Sequence, residues 1–279
     1  MLQNWQLLVF IAGIFSVAFN YVNRYVLQNG DDSTSYSWWF EAFRAVLFLP
    51  FCFLTPLPEI NIFNIALFLA IGLAEFFTVY IYMKMHSFSE LSISTIISQL
   101  RLVWVPVVAF LLLKEKLATI EYLGIVFIFI GQVVVAFPKK FSLSKGVKYA
   151  LISSFLVSIN VVMVKVATPI FPLPYIVVAM SAPSVIGYPI IMKSGLKRII
   201  AYSDTALKKV SIAAAFNALA IVFLLLALRY GPVSSAVGVF QGISVLGVAA
   251  GIIFLKERGN VLGKIAGGAI VLLGMYFLI

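Results

Sequence analysis

Apolar runs of about twenty residues follow one another along almost the whole chain, and no other feature limits its fold as strongly. They lie at roughly 6–27, 37–56, 61–83, 89–113 and 118–137, then at 146–166, 173–192, 208–229, 232–255 and 260–279. A helix needs ~20 mostly apolar residues to cross the hydrocarbon core of a bilayer, so the sequence predicts ten transmembrane helices. Backbone polar groups in lipid must bond within the protein, which leaves helices or closed barrels. The alternating ten-residue segments of a barrel are absent. Only 11% of the 279 residues are charged, against about a quarter in a soluble domain. No extramembrane domain is expected, and the first run reads as a retained span, without the basic flank and cleavage site of a signal peptide.

The formal charge of +10 does not point to nucleic acid, because the basic residues sit in short loops between the runs. There they act as topology signals or headgroup contacts. Alternating loops place fourteen of the twenty Lys and Arg on one side and four on the other, the side that holds both termini. The positive-inside rule puts the richer side in the cytoplasm. One cysteine, Cys52, and one histidine, His86, rule out an intrachain disulfide, a Cys-based metal site and a His cluster. No cofactor or metal is expected. The predicted protein is multi-pass and integral to a bacterial inner membrane, as a monomer or homodimer.

The two halves repeat each other. LLLKEKLATIEYLGIVFIFIGQVVV (111–135) parallels IIFLKERGNVLGKIAGGAIVLLGMYFL (252–278), with Gly124 and Gly131 in one half and Gly267 and Gly274 in the other. Gln99 precedes Glu115 by sixteen residues, as Gln241 precedes Glu257, and Asn20 and Asn160 fall at like places in the first span of each half. Five spans is an odd number, so the second unit (141–279) must be inverted relative to the first (1–140). Inverted repeats place a binding site near the midplane where the halves meet.

The Lys-Glu-Lys or Lys-Glu-Arg turn followed by a glycine-spaced last span, doubled over ten helices, resembles the EamA-type drug/metabolite transporter superfamily. The resemblance implies a transporter with a central cavity lined by spans 1, 3, 4, 6, 8 and 9, peripheral spans 5 and 10, and cytoplasmic termini, the opposite of the charge bias. The family's fourth-span proline is present as Pro106 but has no counterpart in VLGVAAG (245–251). Small multidrug-resistance relatives carry a first-span glutamate; here Asn20 lies in that span and no glutamate does.

A guanidinium in mid-membrane costs at least ~2.5 kcal/mol on insertion scales, and Arg101 falls near the centre of the fourth run. Glu75 is central to the third run, with Thr78 and Tyr82 on the same helical face. A deep carboxylate beside a hydroxyl and a phenol suits a substrate ammonium, and also the carriage of a coupling proton. Arg101 offers a planar fork for a carboxylate or phosphate, with Trp104 one turn on to flank an apolar body. Arg101 alternatively pairs with Glu75 or Glu41, and Glu41 and Arg44, three apart, neutralise each other. The charges break the internal symmetry, Arg101 matching Ile243 and Glu75 matching Ala220, whereas the amides keep it. The candidate substrate-binding residues are Asn20, Arg44, Glu75, Tyr82, Gln99, Arg101, Trp104, Asn160, Asn217 and Gln241, the amides serving either the cavity or helix-to-helix bonds.

Other features have structural readings. The span 5 and 10 glycines are close-packing surfaces; Tyr36, Trp38 and Trp39 form an interfacial belt. Glu115 and Glu257 are loop or helix-end groups, His86 sits at headgroup level, and Asp31-Asp32 is solvated charge. A secondary transporter exporting a small metabolite, an amino acid or related amphipathic or carboxylate-bearing solute, by alternating access is the function expected. A flippase for a lipid-linked headgroup or sugar is the alternative. An enzyme is not expected, since Asp31, Asp32 and Asp204 are the only aspartates and no acid/base set forms around His86 alone.

Overall fold

The computed structural model describes residues 4–27, 32–88, 99–136, 145–254 and 261–279. Regular structure among them is helical: α1 (Asn4–Leu27), α2 (Ser33–Leu54), α3 (Ile62–Phe88), α4 (Arg101–Leu113), α5 (Thr119–Ala136), α6 (Lys145–Ala167), α7 (Leu173–Ile191), the short α8 (Gly195–Ala201), α9 (Ser211–Tyr230), α10 (Val233–Phe254) and α11 (Val261–Leu278). Six helical segments, on α1, α2, α3, α6, α7 and α9, are long and apolar enough to cross a membrane, and shorter apolar helices lie on α4, α5, α10 and α11 among the described residues. The stretch 89–98, part of the fourth run, is outside the described residues.

The hydropathy runs find their helices, and the ends follow local chemistry. Asp32 caps α2 by accepting from the backbone of Thr34 and Ser35, which satisfies amides that open every helix unpaired. α4 closes on Lys114 in the left-handed region (φ 56°), its amide turned back to Ala109 and Phe110. The connection from α7 to α9, expected as a basic loop, is largely helical: α8, a turn at Ser203–Thr205, and a π-helical segment, Ala206–Val210.

The expected aromatic belt at the start of α2 is a set of internal fasteners instead. Tyr36 is 3% exposed. The Trp38 indole donates to the carbonyl of Val185 at 2.8 Å, an acceptor whose usual partner would be the N–H that Pro189 lacks. Trp39 donates to the carbonyl of Ile199 in the last turn of α8 at 2.9 Å, an oxygen that also accepts from the capping amide of Tyr202 at 3.2 Å. Asp32, read from sequence as solvated charge, takes the guanidinium of Arg198 on both oxygens, at 2.6 and 2.8 Å. These contacts tie α2 to the α7–α9 connection at one end of the molecule.

At the other end Gln6 donates to the carbonyl of Ile279 at 2.8 Å. Glu115 and Lys165 there meet the α9–α10 junction. The start of α2 and α8 therefore meet at one end, and the α4–α5 and α9–α10 connections meet at the other.

Helices from the two halves pair closely: α1 with α9, α3 with α6, α1 with α10, α4 with α6, α2 with α7, α4 with α10, and α5 with α11. Exchanging the first five long helices for the last five maps this set onto itself. The α5–α11 contact is backbone to backbone. A Cβ on Gly124 would lie 2.7 Å from the oxygen of Gly274, and one on Gly131 would lie 2.6 Å from that of Gly267. As residue numbers rise along α5 they fall along α11, so the pair is antiparallel, and the glycines are packing surfaces. Gly72 likewise admits α7, where its Cβ would strike the Ala179 oxygen at 2.6 Å.

Candidate functional site

The pairing of α2 and α3 with α6 and α7 brings together ionic groups that are distant in sequence. Glu41 and Arg44 lie one turn apart on α2, 1% and 3% exposed. Arg44 Nη2 donates to Glu41 at 2.6 Å and reaches Glu75 of α3 at 3.5 Å, while its Nε donates to the Ser181 hydroxyl of α7 at 2.8 Å. Asn160 of α6 donates through Nδ2 to Glu75 at 2.6 Å. The guanidinium is thus bound firmly by Glu41 and weakly by Glu75, since 3.5 Å is at the outer limit of a hydrogen bond. Two carboxylates share one cation, which leaves the group one negative charge in excess when all are ionised.

A cavity of about 140 Å³ opens beside this group, between α3, α6, α7 and α9. Glu75 and Asn160 are its polar lining; Val157, Val161, Val164, Met180, Ile221, Leu224, Leu225 and Leu228 supply the rest. Spans 3, 6 and 8 contribute as the family resemblance implies, but span 7 does too, and among the described residues none of spans 1, 4 or 9 lines this hollow. A larger recess of about 620 Å³, lined by Asn4, Trp5, Leu7, Leu8, Leu226 and Tyr230, lies at the far end of α1 and α9. It holds no ionic side chain, so the smaller cavity is where the chemistry is.

A second polar group lies at the α4–α10 contact. Arg101 donates through Nη2 to Gln241 Oε1 at 2.6 Å. Gln132 of α5 donates to the Gln241 carbonyl at 3.1 Å and to the Ser244 hydroxyl at 2.8 Å. The Trp104 ring meets Phe155 of α6 edge-on at 5.4 Å. Phe155 precedes Asn160 by five residues on α6, a rise of ~7.5 Å along that helix at 1.5 Å per residue.

The expected residues therefore fall into separate sets. Arg44, Glu75 and Asn160 come together. Arg101 and Gln241 form the second group with Trp104 close by, and Gln99, 6% exposed, sits just before α4. The anticipated pairing of Arg101 with Glu75 or Glu41 is replaced by Arg44, which takes both acids because it shares α2 with one and faces the other. Asn20 is exposed on α1 while Asn160 is buried, so the two do not occupy equivalent environments. Asn217 is half-buried on α9. The side chains of Tyr82 and His86, and Glu257 as a whole, lie outside the described residues.

Three contributors had no distinct sequence signal: Ser181, Gln132, and Tyr188, which is wholly buried within Coulombic reach of Glu41, Glu75 and Arg44. Each is one polar residue in an apolar helix, and only packing picks it out. Glu115 is a helix-end group as expected, and specifically a cap for α10, accepting from the amides of Val233 and Ser234 at 2.9 Å each. Lys165 donates to the carbonyls of Leu228 and Gly231 across the same junction. Among the described residues no three His, Cys, Asp or Glu side chains converge as metal ligands.

Residues 3–137 match the model of the EamA-like transporter family. A solved crystal structure, whose description says only that it is of a protein, superposes with a TM-score of 0.71 over 98% of this chain and 97% of its own, at 13% identity. That likeness is one of fold. No curated protein matches the sequence. The helices long and apolar enough to cross a membrane and the match over residues 3–137, just under half of the chain, together support an integral, multi-pass membrane protein of the drug/metabolite transporter type.

Proposed function

From the membership of residues 3–137 in the EamA-like transporter family, we propose that the chain is a secondary transporter of ten spans, built as two inverted five-helix repeats, 1–140 and 141–279. It exports a small metabolite of amino-acid size across a bacterial inner membrane by alternating access, as a monomer or homodimer. The repeat reading is supported by helix pairings that survive exchange of the halves and by the antiparallel glycine contact of α5 with α11. The observation that carries the function is the ionic group of Glu41, Arg44, Glu75 and Asn160, held at the seam between the halves and opening on a cavity. Buried intramembrane charge is costly and marks substrate or ion pathways.

In this reading Glu75 and Asn160 hold the solute, and Arg44 keeps Glu75 oriented. Arg101, Gln241, Gln99 and Trp104 form a second polar station along α6. Asn217 borders the route on α9. Glu75 is also the group through which proton coupling runs. Proteoliposomes loaded with amino acids, nucleosides, sugars and organic cations test this directly. Protein-dependent efflux of at least one class is expected, reduced tenfold or more by Glu75→Gln in folded protein. Absence of flux across the whole panel overturns it.

The lateral recess at Trp5, Leu8 and Tyr230 favours one second reading, movement of an amphipathic lipid between leaflets. Scrambling of a fluorescent lipid by the reconstituted protein, without solute efflux, selects that reading.

A further inference from the structure

The cavity beside Glu75 has a one-sided polar pole. Asn160, 4% exposed, has given its Nδ2 to Glu75, and its Oδ1 is buried with no hydrogen-bond partner among the described residues. The Glu75 carboxylate receives that amide and only a long reach from Arg44, whose shorter bonds go to Glu41 and Ser181. Of the two polar lining residues, Glu75 therefore offers the cavity a carboxylate, and the Asn160 amide is engaged in holding it. The eight remaining lining residues are aliphatic or Met, and none is a donor.

Resting on the reading of this hollow as the transport site, we infer that it recognises a primary ammonium carried on a short apolar chain, and that a carboxylate on the ligand contributes nothing there. An ammonium brings three donors and no acceptor. It complements the Glu75 carboxylate, which Arg44 reaches only at 3.5 Å. About 140 Å³ holds roughly four to five groups at ~30 Å³ each, within about one group of a branched four- or five-carbon amine counted with its nitrogen. A ligand carboxylate would meet the Glu75 charge or apolar walls.

Three probes on one carbon skeleton test this in the purified protein: 3-methylbutylamine, leucine and 4-methylpentanoate, read by thermal shift and by binding titration. The amine is expected to bind, leucine to bind no more tightly, and the acid not to bind. Glu75→Gln is expected to weaken the amine tenfold or more. Glu75→Asp, which keeps the carboxylate, should retain the amine in a folded protein even where Glu75→Gln does not fold. Binding of 4-methylpentanoate as tight as the amine, a tenfold preference for leucine, amine binding indifferent to Glu75→Gln, or no amine binding at millimolar concentrations overturns the inference. Val161→Phe, which fills the cavity, separates the two claims. If it blocks solute efflux while the amine fails to bind the native protein, only the ammonium inference falls. If efflux is unchanged, the cavity is not the transport site and both fall.

Discussion

Gly131 and Gly267 face each other across the α5–α11 contact so closely that a Cβ on either would stand 2.6–2.7 Å from the other's carbonyl oxygen. Gly124 and Gly274 repeat the arrangement two turns away. The obstacle is backbone, which cannot swing aside, so a methyl group must push the helices apart. Gly131→Ala and Gly124→Ala are expected to destabilise the protein by about 1–3 kcal/mol, the ordinary cost of overpacking, seen as a lower unfolding temperature in detergent. Gly268→Ala is the control. A Cβ there would meet a Val245 methyl at 3.1 Å, a side-chain neighbour that can shift, and alanine gains up to ~1 kcal/mol in helix propensity, so little or no loss is expected. Equal losses at all three positions would remove the close-packing explanation.

The bond from Arg101 to Gln241 joins α4 to α10 at 2.6 Å, and a hydrogen bond to a charged group is worth about 1.5–3 kcal/mol. Gln241→Leu is expected to lower stability by that order. Because each single change breaks the same bond, Arg101→Met combined with Gln241→Leu should cost less than the two single losses added together. A double variant as damaged as the sum of the single ones would show that the two side chains act separately.

Glu115 caps α10 from the α4–α5 connection through two amides. A carboxylate at a helix N-terminus satisfies unpaired donors and suits the positive end of the helix dipole. Glu115→Ala is expected to cost about 1–2 kcal/mol on the scale of cap deletions. Hydrogen exchange should accelerate first at residues 233–236. Uniform acceleration along α10, or none, would argue against a capping role.

The Asp32–Arg198 pair gives a pH signature outside the membrane. Burial pushes the Asp32 carboxyl up, but the Arg198 guanidinium and the hydroxyl and amide of Ser35 outweigh it and hold the group below its ordinary 3.8. A carboxyl with a depressed folded value stabilises above its unfolded value, and the contribution fades as pH falls through the folded one. The unfolding temperature should therefore drop more steeply for the native protein than for Asp32→Asn as the medium is acidified below about pH 4. Parallel curves would mean that the pair adds nothing measurable to stability, as with many exposed ion pairs.

Much of this architecture was legible in the chain. Hydropathy is a local property, and runs such as 173–192 and 208–229 landed on α7 and α9 almost to the residue. The glycine spacing in 111–135 and 252–278 pointed to close packing, because a missing side chain leaves room only for another backbone. Glu75 and Arg44 stood out because ionised groups are rare in lipid. The pairing of Trp38 with the carbonyl that Pro189 leaves free was hidden, since the two partners are 147 residues apart in sequence and an indole near a helix start also suits a headgroup belt.

The order of apolar and charged residues determined, unaided, that the chain is a bundle of membrane-crossing helices carrying a few deep ionic groups. Each run must close its own backbone hydrogen bonds in lipid, whatever lies beside it. Which charges meet was decided only by the tertiary packing. Rotation of a helix by one residue, ~100° at 3.6 residues per turn, changes which partner a side chain faces, and that rotation is set by the neighbouring helices. So Arg44 came to hold both acids, Arg101 went to an amide on α10, and Asn160 came to donate to Glu75 beside the hollow.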